Sequence, residues 1–87
     1  MQILPEQCRA ARGLLNWTQD RLAQAAGVSR STIKDFECHR HALQRGSEEL
    51  VIGAFTRCGV RLLFDADGAG VGVRMEKPEK LSAQARS

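Results

Sequence analysis

The stretch RSTIKDFECHRH, Arg30 to His41, brings guanidinium, hydroxyl, amine, carboxylate, thiol and imidazole groups close together in the chain. Two chemistries come into question. Cys38, His39 and His41 carry sulfur and nitrogen ligands of the kind that bind zinc or related metals. Their spacing is poor for it, because near neighbours do not close easily on one ion and no fourth ligand is evident, so no metal and no cofactor is expected. The second chemistry is hydrogen bonding to a nucleic acid. Arg30 can donate two bonds to guanine O6 and N7, Ser31 and Thr32 can reach a base edge or a phosphate, and Lys34 a phosphate or guanine. Asp35 is the exception, since a carboxylate facing a polyanion is unfavourable unless a cytosine amino group donates to it; local pairing with His39, one turn on, is the expectation. Asp65 to Gly68 begins like a calcium loop but lacks the remaining ligands, and reads as a turn. No nucleophile stands beside a plausible histidine and acid, and no glycine loop is built for phosphate, so the sequence does not read as an enzyme.

Charge supports the second chemistry. The chain of 87 residues has a formal net charge of +3, and residues 1–46 hold seven Lys/Arg against four Asp/Glu while residues 47–87 hold six against six. The whole surplus lies in the front half, around the stretch above, which is the footprint expected of a nucleic-acid binder, although solvated charged faces are common too. No apolar run approaches the ~20 residues that cross a bilayer. The start, MQILPEQCRAAR, has neither the long apolar stretch nor the cleavage site of a signal peptide, and a cytoplasmic location is expected. Three cysteines, Cys8, Cys38 and Cys58, in no paired spacing fit reduced thiols, read as small buried hydrophobes.

These side chains need helices to position them. Pro5 suits a first helical turn, and Cys8, Ala11 and Leu15, with Leu14, form an apolar stripe ending near Leu15. Asn16 and Trp17 break the helix; Thr18 caps the next one, and Trp17 can staple onto Leu22. Gly27 ends that helix and Ser29 caps a third. After a polar loop, Ser47 with Glu48 and Glu49 reads as the start of a further helix, with Leu50, Val51, Ala54, Phe55 and Cys58 inward and Gly59 at its end. The period then changes to two. Val60, Leu62 and Phe64, the turn DADGAG, and Val71, Val73 and Met75 read as a β-hairpin. The expected organisation is therefore a helical domain over 1–59, a hairpin over 60–76 and a disordered tail over 77–87.

Two short helices joined by a tight glycine turn, with Ala23 and Ala26 allowing close approach over Leu22, Val28, Ile33 and Phe36, make a helix-turn-helix. Steps of about 100° from Ile33 put Phe36, Ser29 and Glu37 inside, and Ser31, Lys34, Asp35 and Cys38 outside, with Arg30 at the exposed N-terminal end. Over roughly residues 4–59, and most specifically at Gln19, Leu22, Ala23, Gly27, Val28, Ile33 and Phe36, the sequence resembles the phage repressor and Cro-type, or XRE-like, regulators. The resemblance implies a mainly α fold, a four- to five-helix repressor-like domain followed by the hairpin. It also implies sequence-specific binding of double-stranded DNA as a small transcriptional regulator, with residues of about 29–38 in the major groove. Thr18 and Gln19 would then meet phosphate at a helix start, and His39, Arg40 and His41 the backbone beyond the recognition helix. Family members often pair an arginine of the first helix with the glutamate closing the recognition helix, which here implies Arg12 with Glu37 rather than two solvated charges. A homodimer through residues 60–76 is expected, since an open apolar hairpin edge is a template for a second chain. The alternative is an antitoxin-like or adaptor module whose main partner is a protein.

Overall fold

The computed structural model describes residues 2–76, so the expected disordered tail at 77–87 lies outside the described residues. Helix α1 runs Pro5–Leu15, with proline in its first turn, where no amide donor is needed. No serine or threonine caps it. Gln7 reaches back instead, its Oε1 accepting the Leu4 N–H at 2.9 Å. Asn16, at φ +58°, closes the helix in the left-handed region that asparagine tolerates. Thr18 caps α2 (Gln19–Ala26) by accepting from the Arg21 N–H, Gly27 ends it at φ +74°, and Ser29 caps α3 (Arg30–Glu37) by accepting from the Thr32 N–H. Each of these stops and starts falls where the sequence places it, because each is decided within one helical turn.

Helix α4 departs from expectation. It spans Arg45–Arg57, two residues ahead of the expected start at Ser47, with Gln44 at the cap position and no side-chain cap. Glu48 turns its carboxylate to the Ile3 N–H, at 2.8 Å, and so ties the N-terminal segment to α4. Val51, Ala54 and Phe55 are buried as expected, but Leu50 is 49% exposed and Cys58 is exposed. Leu50 stands one step, about 100°, outside the row set by Val51, and Cys58 lies at the C-cap beyond the last turn. Cys38 is likewise an exposed C-cap, of α3, so of the three cysteines only Cys8 is the buried hydrophobe the sequence suggests. Trp17 packs on the core, and its ring finds Phe55 of α4, with centroids 5.9 Å apart and planes 25° from parallel.

Strands β1 (Val60–Phe64) and β2 (Gly70–Met75) pair antiparallel, with Val60 opposite Met75 and Leu62 opposite Val73. Val60 and Leu62 enter the same core as the helices. The turn is closed by Asp65, whose Oδ1 accepts the Asp67 and Ala69 N–H groups at 2.9 and 3.0 Å, with Gly68 at φ +84°. The expected row of Val71, Val73 and Met75 is not kept. Leu63 faces Gly72 but Phe64 faces Gly70, so the register skips Val71, which is left 62% exposed, and Met75 is exposed as well. Gln7 of α1 is seated against this irregularity. Its buried Nε2 donates to the Leu63 and Gly72 carbonyls at 2.8 and 2.9 Å, and a Cβ at Gly70 would overlap its carboxamide. Gln2 adds a parallel bridge to Ala69. The hairpin is thereby tied to α1 and to the N-terminal segment. Among the described residues no helix is long and apolar enough to cross a membrane.

Candidate nucleic-acid interface

The orientation of α3 is set at its C-terminal end by a buried carboxylate. Glu37 Oε1 accepts from Arg12 Nη2 at 2.7 Å and Gln19 Nε2 at 3.0 Å, and Oε2 accepts from Arg12 Nε at 2.9 Å and the Cys8 thiol at 3.0 Å. Arg12 Nη1 also donates to the Trp17 carbonyl, and Arg9 Nη1 to the Glu37 carbonyl. One side chain of α3 is thus bonded from α1 and from the first residue of α2. The Glu37 and Arg12 side chains are only 2% and 18% exposed. Burial alone pushes the Glu37 carboxyl up, but bonds from Arg12, Cys8 and Gln19, with the Arg12 charge, outweigh it and hold the group below the usual carboxylate range. The same bonds hold the Arg12 guanidinium up, and burial with the Glu37 contact pushes the Cys8 thiol well up, so that it stays protonated and keeps donating. Because every polar atom in this cluster has a partner, the buried charge is tolerated and α3 is fixed.

At the other end, α3 presents its polar face to solvent. Arg30, Ser31 and Lys34 are exposed, as are the loop residues His39, Arg40 and His41 that follow. Thr32 and Asp35 are half-buried. The Thr32 hydroxyl is engaged within the cap, 2.8 Å from the Ser29 hydroxyl. The expected pairing of Asp35 with His39 is not formed. His39 adopts φ +63°, and its Nε2 lies 3.4 Å from Glu6 of α1, while the Asp35 carbonyl accepts the Arg40 N–H at 2.8 Å. The chain reverses at His39, so the one-turn spacing to Asp35 no longer applies. Among the described residues no group of three or more His, Cys, Asp or Glu is arranged to hold a metal ion.

Gln19, expected at a phosphate, sends its amide Nε2 inward to Glu37, and Thr18 uses its hydroxyl as the helix cap. The first amides of α2 nevertheless remain at a helix start, where backbone N–H groups and the helix dipole favour an anion. Three participants escape sequence reasoning. Cys8 donates to Glu37, Arg9 holds the last carbonyl of α3, and Asp20 lies 3.1 Å from Arg30. All three bridge separate helices, and spacing along one helix carries no sign of them.

The family model described as Helix-turn-helix matches residues 9–37, from the second turn of α1 to the last residue of α3. Among curated proteins, none matches the chain.

Proposed function

Residues 9–37 form an XRE-like helix-turn-helix, and from that we propose that the protein binds double-stranded DNA sequence-specifically as a small transcriptional regulator, with α3 in the major groove. One observation carries this reading: α3 is locked at its inner end through Glu37 while Arg30, Ser31 and Lys34 stand exposed on its outer face. Base readout needs side chains aimed from a rigid element, and this arrangement supplies one. Arg30 is the base-reading arginine. Lys34, Arg40 and the loop histidines meet the phosphate backbone, and Asp35 acts against wrong sequences. The role is binding without catalysis or cofactor, in the cytoplasm where such a regulator meets DNA. Selection of bound sequences from a random duplex library tests it. An enriched inverted repeat is the expected outcome, and a pool without enrichment overturns the reading.

The protein acts as a homodimer through the hairpin of residues 60–76, with its exposed apolar residues at the contact. Val71 and Met75 of β2 are exposed large hydrophobics, as is Leu4 near Val71, and the strand pair leaves an open edge. Two copies joined there would place recognition helices on half-sites about 34 Å apart. Because Val60 and Leu62 belong to the core, the informative variant is Val71→Lys, which alters an exposed residue and leaves the core untouched. Light scattering at roughly tens of micromolar should give a dimer for the wild type and a monomer for Val71→Lys; a monomeric wild type removes the dimer proposal. The same exposed apolar residues favour the second reading, an antitoxin-like module with a protein partner. Enrichment of no duplex, together with a folded monomer, would leave that reading in place.

A further inference from the structure

Arg30 is the first residue of α3 and Asp20 the second of α2, and their side chains meet between the two helices, with Arg30 Nε 3.1 Å from Asp20 Oδ1. A carboxylate on a surface that faces a polyanion weakens phosphate binding by itself. What gives this one a use is the side of the guanidinium it approaches. A guanidinium carries five N–H donors in one rigid plane, with Nε next to the stem. A carboxylate on the Nε side leaves the two Nη groups at the far end of the plane without a partner among the described residues, and these are donors that bind guanine O6 and N7 in parallel. Among the described residues, Lys34 and Arg40 have no carboxylate within 4.0 Å, so this restraint falls on the arginine at the tip of α3 and not on the cations placed for phosphate.

We propose that Asp20 is a positioning residue for base readout: its carboxylate draws the Arg30 guanidinium by charge from the Nε side and leaves both Nη groups for a guanine edge, exchanging general phosphate affinity for discrimination at one base pair. The inference rests on the reading of α3 as the groove-entering helix. It makes two observables move in opposite directions. Neutralising Asp20 strengthens binding to any duplex by removing a repulsive charge, and weakens discrimination at the base pair read by Arg30 by freeing a side chain with many rotamers.

The test uses the full chain, as wild type, Asp20→Asn, Arg30→Ala and the double variant. Each is titrated against the best selected duplex, its single-base variants and a scrambled duplex. Asp20→Asn should bind the scrambled duplex more tightly, while the preference at one base pair falls about threefold to tenfold, a part of what a bidentate pair supplies. In the Arg30→Ala background, Asp20→Asn should change no base preference. A uniform gain on every duplex means simple repulsion, and a gain in discrimination means that Asp20 masks Arg30; either overturns the proposal. If wild type enriches no site, the DNA-binding reading falls and this inference with it. If wild type selects a site, Arg30→Ala relaxes one position and Asp20→Asn relaxes none, only the role of Asp20 is overturned. An Arg30→Ala variant that relaxes no position removes Arg30 from readout and overturns the proposal as well.

Discussion

Among the described residues two arginine–carboxylate pairs bridge helices, and they differ in almost everything except chemistry. Arg12 and Glu37 meet at 2.7 Å, bidentate, with the carboxylate side chain 2% exposed and further bonds from Cys8 and Gln19. Arg30 and Asp20 meet at 3.1 Å through a single nitrogen, with both side chains about two-thirds exposed (66% and 63%). The inner pair cannot release a partner without leaving a charge in the core, whereas either partner of the outer pair is open to water and its separation costs little stability. Burial therefore assigns the inner pair to holding α3 in place and leaves the outer pair available to a ligand.

The largest effects should come from breaking the inner pair. Glu37→Gln or Arg12→Met is expected to destabilise the domain by about 3–5 kcal/mol, since each strands the other partner, while replacing both by apolar residues should recover much of the loss. Denaturant unfolding of the single and double variants measures this. Additivity within about 0.5 kcal/mol would place the inner pair in the same class as the outer one.

Acid should separate the pairs next. The Glu37 carboxyl is held below its unfolded value of about 4.3, so its contribution is complete above that pH and is lost as pH falls through the lower folded value. Unfolding midpoints measured between neutral pH and pH 2 should fall in that acid range for wild type. The fall should be shallower in Glu37→Gln; equal slopes would mean that Glu37 is not the group responsible.

Binding sharpens the outer side of the contrast. Arg30→Ala should lose about 1–3 kcal/mol on the preferred duplex and relax one base position, whereas Arg40→Ala should weaken all duplexes alike and flatten the salt dependence by about one ion. Titrations at several salt concentrations distinguish them, and identical sequence-blind losses would remove Arg30 from readout. The smallest effect is expected for the stability of Asp20→Asn, within about 0.5 kcal/mol of wild type, because both partners are largely solvated. A larger change in its unfolding midpoint would show that the outer pair also supports the fold.

What the sequence alone determines here is whatever is decided within a few residues. Pro5, Thr18, Gly27 and Ser29 set the helix ends through caps and allowed backbone angles, and the alternation of Val60, Leu62 and Phe64 announces a strand. The outward position of Arg30, Ser31 and Lys34 follows from helical period, and the Arg12–Glu37 pair came from family resemblance. Only the tertiary structure decides the rest. The start of α4 carries no side-chain cap to read, and His39 turns to Glu6 because the chain reverses beyond α3. The skipped register at Val71 coincides with Gln7 meeting two strand carbonyls from a helix some sixty residues away in the chain, a contact that no local pattern announces. Asp20 finds Arg30 because α2 packs against α3 and brings the two side chains within reach. Local signals act through backbone sterics and nearby hydrogen bonds, which the order of residues specifies directly. A contact between distant residues depends on the angle at which helices and strands pack, and that angle exists only once the core of Leu22, Ile33, Phe55 and Val60 has formed.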